Sequence, residues 1–270
     1  MDKIKIVANR LLGPARKRVA KLRYSGSQLT CSVCSSGVKR FLPLPRYFSE
    51  MAAKHGFPYA LSEFETLNVE NYSCPFCGAS DRDRLYALYI NEHLAGVALS
   101  SPLRILDFAP SAPLSLFIRR KLPSAAYRTA DLFRTDVDDQ VDITRLNPYG
   151  NDSFDFIICS HILEHVEDDQ RAVAELYRVL KAGGKMIIMV PIHLRLQATH
   201  EDFTQQTEAQ RWMSFAQGDH VRLYAKQGFL DLIAGAGFTL HQVGVDDYGI
   251  DCFSRHGISP QSVLYVAEKP

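Results

Sequence analysis

The chain has 270 residues, 46% hydrophobic and 23% charged, with 31 Lys and Arg against 30 Asp and Glu. That length carries one large α/β domain with a smaller appendage and excludes a peptide-sized scaffold. No run approaches the roughly 18 to 20 uninterrupted apolar residues of a membrane-spanning helix, and the first residues lack the apolar core of a secretory signal, so a cytoplasmic protein is expected.

Between Met1 and Arg40 stand ten basic residues and one acidic one, Asp2, which leaves the remainder acidic. Residues 1–28 read as a basic amphipathic arm, with Ile4, Val7, Leu11, Ala15, Val19 and Leu22 at roughly helical spacing, broken by Gly13-Pro14. Such an arm suits packing on the protein itself, peripheral contact with an anionic membrane at its inner face, or nucleic acid. Residues 29–82 form the expected zinc-binding module, because they hold two Cys-x-x-Cys pairs, Cys31 with Cys34 and Cys74 with Cys77, separated by 39 residues. Two such knuckles complete a tetrahedral thiolate site, for which zinc is the default ion. Four protein ligands leave no open position, so the ion's expected role is structural. A redox dithiol or ordinary buried cysteines are the competing readings. Cys159 reads as a small core residue and Cys252 as a loop thiol.

From residue 83 to 270 apolar strands alternate with helical patterns: helix "DRLYALYINEHLA", strand "RILDFA", helix "LSLFIRRKL", strand "AYRTADL", a link with "VDITRL", strand "FDFIICS", helix "DDQRAVAELYRVL" and strand "KMIIMVP". Helix "VRLYAKQGFLDLIAGAG" and strands "TLHQVGV" and "SVLYVAE" follow. This rhythm predicts βαβ units on a mainly parallel sheet. The Lys181 to Gly184 turn reads as a helix C-cap. Polar insertions at about 192–221 and 246–259 read as substrate loops.

A parallel sheet binds its ligand outside the carboxyl ends of its strands. Asp107 ends the first strand of this series and Asp131 the second, where a carboxylate can accept hydrogen bonds from ribose hydroxyls. The segment "DNSFDFIICSHILEHVEDDQRAVAELYRVLKAGGKMIIMVPI" makes the stretch from Leu103 to about Lys269 resemble the class I S-adenosylmethionine-dependent methyltransferases with a small-molecule, type 11-like core. The resemblance implies a Rossmann-like seven-stranded sheet, mostly parallel with an antiparallel last strand, and S-adenosyl-L-methionine as cofactor. It assigns Asp107 and Ala109 to the loop around the methionine portion, Asp131 and Leu132 to the ribose region and Asp142 to the adenine edge. Ser160 and His161 would line the cofactor or the path to the acceptor. The front loop departs from the family pattern: no glycine stands between Val97 and Tyr149, and Pro110 and Pro113 remove two amide donors. Adenosylmethionine carries no phosphate, so a stiff loop with few amides is tolerable for it and poor for a dinucleotide.

An acceptor hydroxyl needs a base, and histidine suits that task. "SHILEH" offers His161, Glu164 and His165; this HxxEH spacing is not expected to hold a catalytic metal, because a strand stands directly before it and another ligand is needed. "GDHVR" offers His220 as base and Arg222 to hold an acidic group, with Asp219 either capping a following helix or touching the acceptor. Trp212 and Tyr248 complete the expected acceptor surface. The leading expectation is methyl transfer to oxygen in a small molecule or sugar, in cell-surface glycan synthesis. An RNA methyltransferase and a noncatalytic zinc-stabilised binding protein are the alternatives. Nucleic acid is the weaker expectation, since basic residues are not interleaved with aromatics in the module.

Overall fold

The computed structural model describes residues 19, 21–94 and 102–270; most of the basic arm lies outside the described residues. No helix among the described residues is long and apolar enough to cross a membrane. After helical residues 21–24 come the antiparallel strands β1 (Ser25–Thr30) and β2 (Gly37–Val38), then α1 (Arg46–His55) and α2 (Asp81–His93). Helix α2 begins where it does because Ser80 Oγ accepts from the Asp83 amide at 3.1 Å while Asp83 Oδ2 accepts from the Ser80 amide at 2.9 Å. The boundary expected between residues 82 and 83 therefore falls inside one helix.

Next come β3 (Arg104–Phe108), α3 (Ala112–Lys121), β4 (Ala126–Asp131), β5 (Asp139–Gln140), β6 (Phe154–Ser160), α4 (Asp169–Val179) and β7 (Leu180–Met189). An excursion holds β8 (His200–Glu201), α5 (Glu208–Phe215) and β9 (Arg222–Leu223). The chain finishes with α6 (Lys226–Gly235), β10 (Thr239–Val243), α7 (Val245–Tyr248), α8 (Ile250–His256) and β11 (Leu264–Glu268). The seven-stranded sheet runs in the order β10-β11-β7-β6-β3-β4-β5. β11 alone runs opposite to the other six strands, antiparallel to both β10 and β7. This is the mostly parallel α/β methyltransferase-type sheet that the sequence predicts. From β3 the chain steps to β4 and β5 on one side and then returns to β6 on the other, so the strand order reverses between β3 and β6.

Three local expectations are corrected. The helix expected from Val221 starts only at Lys226, because Arg222 and Leu223 are buried and paired with Glu201 and His200 as strand. Asp219 consequently caps no helix. Leu180 passes from α4 directly into β7 with extended dihedrals. Gly183 (φ 73°) therefore serves not as a helix cap but as the irregular start of β7, where its amide donates to the Lys269 carbonyl at 2.8 Å. The insertion at 246–259 is mostly helical, as α7 and α8.

One apolar core joins the two parts of the chain: Val33, Val38 and Phe41 pack in the same cluster as Leu85, Ile105 and Ile157. Arg84, with no exposed surface, fastens the seam. Its guanidinium donates to the carbonyls of Tyr72, Ala79 and Asn71 on one side and His256 and Gly257 on the other, and lies 3.8 Å from the Phe41 ring centroid. A second cluster of Phe57, Phe64, Phe215 and Leu223 ties the excursion to the N-terminal part.

Candidate functional site at the carboxyl edge

At the strand-order reversal, β3 ends in Asp107 and Phe108 and β6 ends in Ser160. The residue just beyond each strand takes the left-handed conformation: Ala109 (φ 46°) and His161 (φ 57°). Such backbone costs about 1–2 kcal/mol for a residue with a side chain. Ala109 stands where the family pattern would place a glycine and still makes the turn, anchored by its amide to the Ala130 carbonyl at 2.8 Å. Pro113 falls in the first turn of α3, where an amide has no intrahelical acceptor, and Ser111 caps that helix. The prolines thus start the helix without depriving it of a ladder bond.

Helix α2 reaches both strand ends. Asp83 Oδ1 accepts from Ser111 Oγ at 2.9 Å, and the Tyr86 hydroxyl lies 2.9 Å from Ser160 Oγ. Arg134, not anticipated from sequence, crosses from the loop after β4 to donate to the Pro110 carbonyl at 2.9 Å. Asp107 is 2% exposed and accepts a 2.5 Å hydrogen bond from the Tyr127 hydroxyl. Burial pushes its carboxyl up to about 7, against the pull of that hydrogen bond. Asp131 caps its own turn, its Oδ1 accepting from the amides of Phe133 and Arg134. Its Oδ2 makes no hydrogen bond among the described residues, which leaves an acceptor for sugar hydroxyls. Beside it Leu132 (51%) and Phe133 (67%) are exposed, an apolar step suited to a flat base. Asp142 is exposed and caps the Thr144 amide and hydroxyl, both at 2.8 Å. An open cleft of about 690 Å³ beyond Asp142, lined by Thr144, Arg145, Arg171 and Arg178 among others, includes none of Asp107, Asp131 and His161.

The turn after β6 brings the histidines together. His161 Nδ1 is 3.1 Å from Glu164 Oε1, and His165 Nε2 is 4.0 Å from the same oxygen. The His165 and His220 rings meet edge to face at 4.7 Å, because the Val221 amide donates to the Glu164 carbonyl at 2.9 Å and seats the end of the excursion on this turn. Glu164 is wholly buried and neither oxygen accepts a well-formed hydrogen bond; His161 Nε2 and His220 Nδ1 are likewise buried without one. Burial pushes His161 down to about 4, helped by the nearby Arg82 guanidinium, and pushes His220 down to about 3. For Glu164 burial opposes the charge, but the surrounding histidines overcome it and hold the carboxyl below its usual range. Arg82 is half-buried beside His161, Tyr86 and Asp83, with no hydrogen bond or ion pair to its side chain among the described residues. Its neighbours in sequence gave no signal of that position.

Three residues expected at the acceptor surface lie elsewhere. Arg222 is 1% exposed and spends its guanidinium on Asp169, Glu201, the Tyr224 hydroxyl and the Glu167 carbonyl. Trp212 is buried against Tyr47 and His55 of α1 and anchors the excursion. Tyr248 faces Glu92 near the end of α2. That end is remote from the edge, since α2 runs from Tyr86 at Ser160 to Tyr89, which stacks on Phe156 at the amino end of β6. Asp219 does stay close, its carbonyl 3.1 Å from His165 Nδ1.

Away from this edge, Cys31 and Cys34 face Cys74 and Cys77. The Cys31–Cys77 and Cys34–Cys74 sulfurs are 3.7 and 3.8 Å apart, and all four lie within 4.8 Å of one another. Disulfides, at about 2.05 Å, do not have this spacing, whereas about 2.3 Å metal–sulfur bonds in a tetrahedron put sulfurs about 3.8 Å apart. The two knuckles repeat one backbone plan: the residue after each second cysteine is left-handed, Ser35 (φ 60°) and Gly78 (φ 79°), and its amide donates to the carbonyl of the first cysteine.

Residues 121–188 match a family model described as a methyltransferase domain. The match covers about a quarter of the chain and takes in Asp131, Asp142, Ser160 and His161. Over 86 residues the chain is 31% identical to 2-methyl-6-phytyl-1,4-hydroquinone methyltransferase 1 of Oryza sativa subsp. japonica, covering 32% of this chain and 24% of that protein. Over 73 residues it is 30% identical to ajmaline N-methyltransferase of Rauvolfia serpentina, covering 27% of this chain and 24% of that one. The chain thus spans about a quarter of the length of the curated relatives it matches. Among solved structures, an S-adenosylmethionine-dependent methyltransferase from Archaeoglobus fulgidus aligns over 71% of this chain and 95% of its own, at 13% identity and a TM-score of 0.45.

Proposed function

We propose that this chain is an enzyme that transfers a methyl group from S-adenosylmethionine to an oxygen atom of a small-molecule or sugar acceptor. The observation that carries the reading is the carboxyl edge at the strand-order reversal, where Asp107, the turn at Ala109, the free oxygen of Asp131 and His161 converge within a segment that overlaps the methyltransferase-domain match. The names of the relatives, a 2-methyl-6-phytyl-1,4-hydroquinone methyltransferase and an ajmaline N-methyltransferase, support a small-molecule acceptor; transfer to oxygen rests on the histidine beside the edge. When bound, the cofactor supplies a methyl on a sulfonium; the acceptor oxygen forms the new bond to carbon as the carbon–sulfur pair stays on sulfur.

The residues' own tasks follow from their positions. Asp131 would hold the ribose hydroxyls through Oδ2, and Leu132 and Phe133 would lie along the base. Asp107, buried and easily protonated, would ionise as a cationic ligand arrives. His161 Nδ1 faces Glu164 Oε1 at 3.1 Å, and with the proton on that nitrogen the Nε2 lone pair would take the acceptor's proton. That tautomer is assigned from the Glu164 contact. At the cysteine cluster we propose a structural Zn²⁺ held by Cys31, Cys34, Cys74 and Cys77, which would fasten the N-terminal part and take no part in transfer.

The test is calorimetric titration with S-adenosylhomocysteine, which requires no knowledge of the acceptor. One-to-one binding in the micromolar range is expected, weakened by about 1 to 3 kcal/mol in Asp131→Ala through lost hydrogen bonds. A folded protein that binds none rejects the cofactor assignment, and an unchanged affinity in the variant rejects the ribose role of Asp131.

A further inference from the structure

Glu164 has no exposed side-chain surface, and neither oxygen accepts a well-formed hydrogen bond. A buried carboxylate in this state costs several kcal/mol unless a cation meets it. Among the described residues no lysine or arginine pairs with it; its ionisable partners are His161 at 3.1 Å and His165 at 4.0 Å. Glu164, His165 and His220 each present one donor atom, and the three atoms lie within 4.8 Å of one another. We propose that these three side chains bind a divalent first-row transition metal, at a site separate from the four cysteines. Two imidazoles and a carboxylate suit zinc, iron(II), cobalt or manganese, and three protein ligands leave positions open for water or a ligand oxygen.

The surroundings support ligation as well as proximity. His165 Nδ1 lies 3.1 Å from the Asp219 carbonyl oxygen, so its N–H is committed there and Nε2, on the Glu164 side, keeps its lone pair. An outer hydrogen bond of this kind commonly fixes the tautomer of a metal-binding histidine. His220 Nδ1 is buried with no hydrogen-bond partner. The HxxEH spacing alone lacked a further ligand, and the end of the excursion supplies it from His220, 55 positions after His165. Metal bonds of about 2.0–2.2 Å place donor atoms roughly 3–3.5 Å apart, so binding would draw these side chains inward by about 1 Å. Capture of a metal stands on this geometry alone. A use for the ion in orienting an acceptor hydroxyl beside His161, and lowering its pKa, rests on the methyl-transfer reading.

Titration of the purified full-length protein with Co²⁺ tests the site. Nitrogen and oxygen ligands give d–d bands without the intense sulfur-to-cobalt charge transfer of a thiolate site. The expected result is one equivalent of Co²⁺ taken up with such bands, and a loss of affinity of about tenfold or more in His165→Ala and in His220→Ala. His165 is only partly buried, so its variant carries the test should His220→Ala fail to fold. Wild-type protein without saturable d–d absorption, or bands that His165→Ala leaves unchanged, overturns the proposal. S-adenosylhomocysteine binding is read separately, so failure of the metal site and failure of the methyl-transfer reading remain distinguishable.

Discussion

Asp107 should make folding stability fall as pH rises through neutrality, contrary to the usual behaviour of a carboxylate. Its carboxyl titrates at about 7 in the folded chain, because burial disfavours the charge more than the Tyr127 hydrogen bond favours it. In an unfolded chain an aspartate titrates near ~3.9. Between those values the folded protein holds a proton that the unfolded chain has released, so stability declines with increasing pH. The separation corresponds to about 4 kcal/mol, fully present below about pH 4 and lost by the time pH passes about 7. Asp107→Asn removes the titration and keeps the shape. Urea unfolding of both proteins at several pH values between 5 and 8, taken as a difference, cancels the other titrating groups. The wild type should lose ground to the variant by about 1.4 kcal/mol per pH unit up to neutrality and level off beyond it. A flat difference, or one that rises with pH, would refute a buried protonated Asp107. Saturating S-adenosylhomocysteine should shrink the slope, because its ammonium would favour the ionised carboxylate.

Replacing Cys74 by Ser should release one metal ion per chain, read by elemental analysis, and loosen residues 31–79 to proteolysis; full metal content with an intact fold would dismiss the four-thiolate site. Arg84→Met keeps much of the contact with Phe41 but removes five hydrogen bonds, leaving the Tyr72, Asn71 and His256 carbonyls without that donor while Ala79 and Gly257 keep the Cys74 amide and the Asn68 side chain, and should cost about 3 kcal/mol in urea unfolding. A loss under about 1 kcal/mol would show that water replaces the guanidinium at the seam.

The parts of the fold written in local pattern were legible: runs such as "FDFIICS" are buried almost throughout and became β6, and the cysteine spacing forecast two matched knuckles. Asp107 and Asp131 stand at the ends of adjacent parallel strands as the resemblance implied. What was lost is direction over long separations. Arg222 and Trp212 have the chemistry of acceptor-binding residues, yet one is turned into an ion cluster with Asp169 and Glu201 and the other into a helix contact. Residue type records what a side chain can do, and only tertiary packing decides what it faces. Arg82 and Arg134 escaped notice for the same reason, since nothing in "DRDRL" or "LFRTD" distinguishes a surface arginine from one laid across a binding edge.

The seam at Arg84 also sets an order of events during synthesis. The backbone carbonyls that close its far side belong to His256 and Gly257, more than 170 residues later. At ribosomal speeds of about 5–20 residues per second, Arg84 waits roughly 10–35 s for them. The cysteine knuckles are complete by residue 78, far earlier. A nascent chain would therefore pass through a stage in which both cysteine knuckles are already present while Phe41 still lacks Gly257 beside it. In that interval the flank that Gly257 will cover stays open, and release of the chain before residue 257 would leave it so.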